Sequence, residues 1–280
     1  MLMAMLTRFT KMHGCGNDFV IFDERARPLG LTPRRAAAVA DRHTGIGCDQ
    51  VVEIEPGRDG ADAFMRIRNQ DGSEAGACGN ATRCVAHLLG RDTGRTRLTI
   101  RTISGDLPSI LLPDGTVQVD MGPVRLDWRE IPLAGPADTL HLDLAAGPVA
   151  DPAAASLGNP HATFFVPDLD AVPVGKIGPI LEHDSMFPDQ ANIGFVQVLA
   201  PDRIRLRVWE RGAGLTLACG SGACAALVNA HRRGLTGRRA AVLVDGGTLT
   251  IEWRSDGHVL MTGPVASAFV GDIDLEAYPA

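Results

Sequence analysis

Two cysteines stand in matching surroundings, and both are types that can do acid–base chemistry. Ala77-Cys78-Gly79-Asn80 and Ala218-Cys219-Gly220-Ser221 each lead into a run of small and apolar residues. If those runs are helices, each thiol lies at a helix start, against N–H groups that lack partners within the helix and at the positive end of its dipole. Such a setting favours thiolate, and the same N–H groups bind carboxylate. A thiolate can take a proton from carbon and a thiol can return one. Acting from opposite faces, the pair would invert a tetrahedral centre. The α-proton of an amino acid is weakly acidic, so the carbanion needs dipoles aimed at its carboxylate in a water-excluded site. Arg211, beside Glu210, adds a forked cation suited to a further carboxylate, which points to a substrate with a second acidic group.

Composition narrows the alternatives. The 280 residues include six cysteines, at 15, 48, 78, 84, 219 and 224, and no CxxC pair. That spacing indicates neither a zinc ribbon nor a thioredoxin-type site, and a chain this long without a signal peptide is not expected to rest on disulfides. Lysine occurs only at 11 and 176, a poor basis for a Schiff-base cofactor. No GxGxxG motif or P-loop is visible. The net charge is −6 and the arginines are scattered, which argues against a nucleic-acid surface. Met1 to Thr10 does not read as a secretory signal, and no apolar run has membrane-spanning length, so no membrane association and a cytoplasmic location are expected.

The elements that must position the two thiols come from a duplication. Besides the cysteine motifs, Met65-Arg66-Ile67-Arg68-Asn69 matches Leu206-Arg207-Val208-Trp209-Glu210 and Gly122-Pro123-Val124 matches Gly263-Pro264-Val265, all at an offset of 141, with Gly16-Asn17-Asp18 and Gly158-Asn159-Pro160 at 142. A period this long means two related domains rather than a solenoid. The first is expected over residues 1–123 and the second over 124–264, with the tail 265–280 packing back on the first. Short apolar or alternating runs predict strands at Phe9 to Met12, Val20 to Asp23, Val51 to Ile54, Phe64 to Arg68, Leu98 to Ile103 and Val117 to Met121 in the first copy. In the second they fall at Leu140 to Leu144, Thr163 to Val166, Phe195 to Leu199, Ile204 to Trp209, Ala241 to Val244 and Thr248 to Trp253. An exposed helix is predicted over Pro33 to Asp41, capped by Thr32. Asn80 to Leu89 and Ser221 to Ala230, apolar on nearly every face, predict buried helices. The fold class is therefore α+β: two homologous domains, each a mostly antiparallel or mixed sheet curled around a central helix, with the active site in the cleft between them.

Five segments, in order, carry a resemblance: KMHGCGNDF from Lys11, RHTGIGCDQ from Arg42, RNQDGSEAGACGNATRC from Arg68, GNPH from Gly158 and ERGAGLTLACGSGACA from Glu210. Over nearly its whole length the chain resembles the diaminopimelate epimerases. The resemblance implies interconversion of LL- and meso-diaminopimelate, a step toward lysine and peptidoglycan, with Cys78 and Cys219 as the acid–base pair. It further implies that the backbones of Gly79, Asn80, Gly220 and Ser221 bind the reacting α-carboxylate. Asn17, Gln50, Asn69, Asn159, Asn192 and Arg211 would face the substrate, and His161 and Glu210 would lie near the reacting centre. No metal or organic cofactor is implied, and a homodimer is. Two residues depart from the family pattern: Ala81 where glycine is usual and Leu215 where glutamate is usual.

Other readings use the same residues. A proline or hydroxyproline racemase shares the two-cysteine logic, but such relatives typically carry histidine where Asn80 stands. A thiol redox or metal-binding protein would need a cysteine spacing that is absent here. A silent binding module of the same fold would be expected to lose a cysteine or Glu210. Turn-like surroundings of Asn17, Asn69 and Asn159 also suit asparagines that merely cap their own backbone.

Overall fold

The computed structural model describes residues 6–279. Contacts divide the chain into two compact units, one formed by residues up to Val119 with those from Pro264 onward, the other by Asp120–Gly263.

The first unit contains β1 (Thr7–Gly14), β2 (Asn17–Asp23), α1 (Pro33–Ala40), β3 (Gln50–Pro56), β4 (Ala63–Asn69), β5 (Glu74–Ala75), α2 (Gly79–Thr93), β6 (Arg97–Thr102), β7 (Gly105–Leu111) and the start of β8 (Val117–Pro123). β1 and β2 are joined by a two-residue turn in which Cys15 and Gly16 both have positive φ, 54° and 86°. That is the turn whose twist matches a hairpin, and it sets Asn17 at the first position of β2. β2 runs parallel to β3, β3 antiparallel to β4, and β4 parallel to β6, after which β6, β7 and β8 form an antiparallel meander. Beyond the duplicated part, Ala266–Ile273 pairs antiparallel with β1, Thr7 opposite Ile273.

α2 lies against β1, β6 and β7 and is buried from Gly79 through Gly90 except for His87. Its start is capped by the Cys78 side chain and its end by Gly94 in the left-handed conformation, φ 72°, a geometry that glycine adopts without a Cβ penalty. α1 covers a second apolar layer made of Val20, Phe22, Val39, Cys48 and Val51. The helix predicted as exposed is thus half-buried, through Arg35, Ala36, Val39 and Ala40, because this sheet is covered on two faces.

The second unit repeats the plan with β9 (Ala145–Ala146), β10 (Val149–Ala150), β11 (Ala153–Ser156), β12 (Pro160–Phe165), α3 (Val174–Glu182), β13 (Asn192–Ala200), β14 (Arg203–Glu210), β15 (Gly214–Thr216), α4 (Gly220–Arg232), β16 (Arg239–Val244), β17 (Gly247–Trp253) and β18 (His258–Gly263). β12 is parallel to β13, β13 antiparallel to β14, and β14 parallel to β16. α4 touches β11 to β14 and β16 to β18, so this sheet does curl around its helix. The strand predicted at Leu140 to Leu144 does not form. Leu142 and Leu144 alternate with exposed residues and enter the core beside α3, but they belong to a turn-rich segment with no ladder partner. α3 escapes the sequence reading because two glycines and Pro179 lie in its nine residues, which mask a helical pattern. Among the described residues no helix is long and apolar enough to cross a membrane.

Candidate active site

In the first unit the candidate residues gather where β2, β3, β4 and the start of α2 meet. Cys78 is partly exposed, and its Sγ accepts a hydrogen bond from Ala81 N at 3.5 Å as N-cap of α2. The same thiol donates to Asn17 Oδ1 at 3.7 Å, and Asn80 Nδ2 donates to that oxygen at 3.1 Å. Asn17 Nδ2 donates to Asp49 Oδ2 at 2.9 Å. Gln50 stands opposite Asn69 in the β3–β4 ladder, and Gln50 Nε2 donates to Asn69 Oδ1 at 3.0 Å. Gln50 is therefore tied to the strand beside it, which is more than a polar residue preceding a strand would require. Gly79 and Asn80 are buried in the first turn of α2.

Behind this group lies a charged cluster. Lys11 and Arg42 both pair with Asp18, and Arg42 also pairs with Asp49. Burial alone would raise the Asp18 carboxyl, but its bonds to Arg42 and Lys11 outweigh that and hold it at about 2.

The second unit places its candidates on matching elements. Cys219 caps α4, its Sγ accepting from Gly222 N at 3.3 Å and lying 3.6 Å from Ser221 Oγ. Unlike Cys78 it is buried, at 5% exposure. The helix start alone predicts a thiol shifted toward thiolate. Here the thiol is instead pushed well above its ordinary range, first by burial and then by the negative charge of Glu210. Desolvation disfavours the ionised form more than the helix start and the Gly222 N–H favour it, so the buried Cys219 is held as a thiol. Thr216 Oγ1 donates a hydrogen bond to Glu210 Oε1 and fixes that carboxylate.

His161, on β12, stands opposite Asn192 on β13. It is buried, and its Nε2 lies 3.1 Å from Asn159 Oδ1, while Asn159 Nδ2 donates to Ser221 Oγ at 3.4 Å. Burial, reinforced by the positive charge of Arg211, lowers the imidazole to about 3. His161 is a neutral ring at physiological pH, not the loop residue that its position after Pro160 also allows. Asn192, likewise buried, donates to Pro160 O at 3.0 Å and accepts from Arg211 N at 3.1 Å. The exposed Arg211 donates through Nη1 to Asp189 O at 2.9 Å. Glu182 supports the turn that follows β14, accepting from Trp209 Nε1 at 2.7 Å and Gly212 N at 2.8 Å.

Asp49, Thr216 and Glu182 are among the polar residues here that sequence reasoning missed. Asp49 and Thr216 lie inside the quoted motifs, one residue before Gln50 and three before Cys219. That adjacency is the signal that could have found them. Glu182 has none, since its partners are 27 and 30 residues away.

Comparison with known proteins decides the relationship. The sequence pattern of the family described as diaminopimelate epimerase matches residues 9–126 and 153–267. The chain belongs to the diaminopimelate epimerase family. It is 66% identical over 272 residues to the diaminopimelate epimerase of Acidiphilium cryptum (strain JF-5), covering 97% of this chain and 98% of that one. It is 60% identical to the diaminopimelate epimerase of Rhodospirillum centenum (strain ATCC 51521 / SW), covering 98% and 95%. Among solved structures, a hydroxyproline epimerase from Agrobacterium vitis superposes with a TM-score of 0.70 at 17% identity, over 96% of this chain and 91% of that one; at that identity the likeness speaks for the fold alone. Of the two departures from the diaminopimelate epimerase pattern, Ala81 is fully buried in α2 and still supplies its N–H to Cys78. Leu215 is half exposed and stands opposite Trp209 in the β14–β15 ladder.

Proposed function

We propose that this protein interconverts LL- and meso-diaminopimelate without a cofactor, with Cys78 and Cys219 as the two acid–base groups. The observation that carries the reading is the thiol N-cap built twice, in a chain 66% identical to a protein named diaminopimelate epimerase. One cysteine, as thiolate, takes the α-proton and becomes a thiol. The electron pair left on carbon is delocalised into the α-carboxylate, which the N–H groups of Gly79, Asn80, Gly220 and Ser221 stabilise. The other cysteine, as thiol, gives its proton to the opposite face and becomes the thiolate. Each turnover therefore exchanges the two protonation states, and the reverse reaction restores them.

Cys219 must shed its proton to serve as base. Glu210 is the nearby carboxylate that can receive it, and Thr216 keeps Glu210 in place. His161 supports Asn159, which in turn reaches Ser221 on the carboxylate-binding turn. Asn17, Gln50, Asn69, Asn159, Asn192 and Arg211 are assigned to the substrate's polar groups, with Arg211 the natural partner for the distal carboxylate. We place the enzyme in the cytoplasm, where lysine and peptidoglycan precursors are made, and assign it as a homodimer; sedimentation at micromolar concentration giving a 30-kDa species would refute the latter.

The test is proton NMR of LL-diaminopimelate in deuterated water with reduced enzyme. Loss of the α-proton signal and appearance of the meso isomer are expected, and both should fall by at least about 10³-fold in Cys78→Ala and in Cys219→Ala. Exchange on L-proline in place of diaminopimelate would move the protein to the racemase branch.

A further inference from the structure

The polar groups around Cys78 form a chain whose direction is fixed at both ends. A carboxylate can only accept hydrogen bonds and a guanidinium can only donate them. Asp49 accepts from Asn17 Nδ2 at 2.9 Å, Asn17 Oδ1 accepts from Asn80 Nδ2 at 3.1 Å, and Asn80 Oδ1 accepts from Arg83 Nη1 at 3.0 Å. Turning over either amide would set acceptor against acceptor on one side and donor against donor on the other. Both ends are themselves held. Asp49 is paired with Arg42 at 2.7 Å and accepts from Asp18 N at 3.1 Å. Arg83 is fully buried beneath Gly14, where a Cβ would lie only 2.7 Å from Nη2. Cys78 sits at the joint, 3.7 Å from Asn17 Oδ1.

We propose that Asp49 and Arg83 are positioning residues that lock the amides of Asn17 and Asn80 in one orientation, so that the Cys78 thiol meets a carbonyl oxygen and not an amide NH2. A carbonyl accepts the S–H proton and favours the thiol; an NH2 would favour thiolate. The lock makes the resting protonation state of Cys78 a property of the fold rather than of chance amide rotation. The inference takes Cys78 as a reacting thiol and so rests on the function proposed above, but its test needs no substrate.

Iodoacetamide labelling of Cys78, followed by peptide mass spectrometry against pH, reads the thiolate directly. Ionisable groups about this site include Cys15, Cys84 and Arg83, with Lys11, Asp18 and Arg42 behind Asp49. Charge alone therefore predicts opposite shifts: Asp49→Asn lowers the half-labelling pH, Arg83→Gln raises it, and the double variant returns near the wild type. In each single variant the other end still holds the amides. Only the double variant releases them, so the lock predicts that its half-labelling pH falls about one unit below the sum of the single effects, about tenfold more labelling on the rising limb. A double variant equal to that sum overturns the proposal. If Arg83→Gln does not fold by circular dichroism, neutron diffraction from the deuterated wild type decides. Deuterons of Asn17 Nδ2 pointing at Asp49, with the thiol deuteron aimed at Asn17 Oδ1, support the lock; Nδ2 pointing at Cys78 overturns it. A failure of epimerisation with the labelling result intact would sink the proposed function and leave the lock standing.

Discussion

In the first repeat Cys78 is partly exposed and leans on the neutral amide of Asn17; in the second, Cys219 is buried and faces the carboxylate of Glu210. The strands beneath are equivalent. Phe19 stands opposite Gln50 as His161 stands opposite Asn192, both across a parallel pair. Phe19 is an apolar core residue and its counterpart is a buried imidazole held by Asn159. Asn69 and Glu210 likewise occupy the same place at the end of a strand. The backbone has kept its duplicate form because it makes the same thiol cap twice. The residues next to the thiols have diverged, with Phe19 and Asn69 in the first repeat where the second has His161 and Glu210, so Cys78 meets an amide and Cys219 a carboxylate.

After the cysteines themselves, Glu210 is the residue on which this asymmetry turns most. Glu210→Gln removes the negative charge that, after burial, holds the Cys219 thiol up. Cys219 should then be alkylated at lower pH, with Cys78 unaffected. Turnover should fall by about a hundredfold, because the route for the Cys219 proton is lost. If alkylation of Cys78 moves instead, the two repeats are not governed separately and the comparison breaks.

His161→Phe gives the second repeat the residue of the first. The native imidazole sits at about 3, below its ordinary value of about 6.5. Between those values the unfolded chain binds more protons than the fold. The stability tied to a neutral His161 is therefore complete above about pH 6.5 and is lost as pH falls toward 3, at up to about 1.4 kcal/mol per pH unit. Urea unfolding at pH 7 and pH 5 should show the wild type losing about 2 kcal/mol more than His161→Phe between the two, since contributions from all other groups cancel in the difference. Equal losses would mean that the ring is charged or hydrated in the fold. Activity should fall as well, because phenyl cannot hold Asn159.

Much of this was legible from the residues. The duplication, the buried helices behind each cysteine and most of the strands follow from spacing and apolar pattern, since those elements are local and repeat. Leu140 to Leu144 misled because alternation reports burial, and Leu142 and Leu144 are buried without a ladder partner. α3 was hidden by its glycines and Pro179, one of which admits the Trp209 ring: a Cβ on Gly178 would lie 2.5 Å from it. The motifs pointed to the polar residues, but the high Cys219 and low His161 values depend on how deeply each side chain is buried, which only packing sets.

The smallest effect separates the helices that support the two site turns. α1 begins at a side-chain cap, Thr32 Oγ1 accepting from Arg35 N at 3.1 Å. α3 begins at Pro173 with no side-chain cap bond and supports its turn through the Glu182 carboxylate on Gly212 N. In the first unit the support is backbone packing. Gly72, φ 83°, lies so close to α1 that a Cβ there would be 2.1 Å from Pro33 O, and Gly72 N donates to Asn69 O. Thr32→Ala should therefore cost about 1 kcal/mol of stability, with Thr32→Ser restoring most of it. Because α1 abuts the turn carrying Asn69, the loss should also raise KM about twofold and leave kcat unchanged, a response expected of a distorted binding residue and not of a lost acid or base. A fall in kcat with KM unchanged would instead place Asn69 in the chemical step beside Cys78, and not among the groups that only bind substrate.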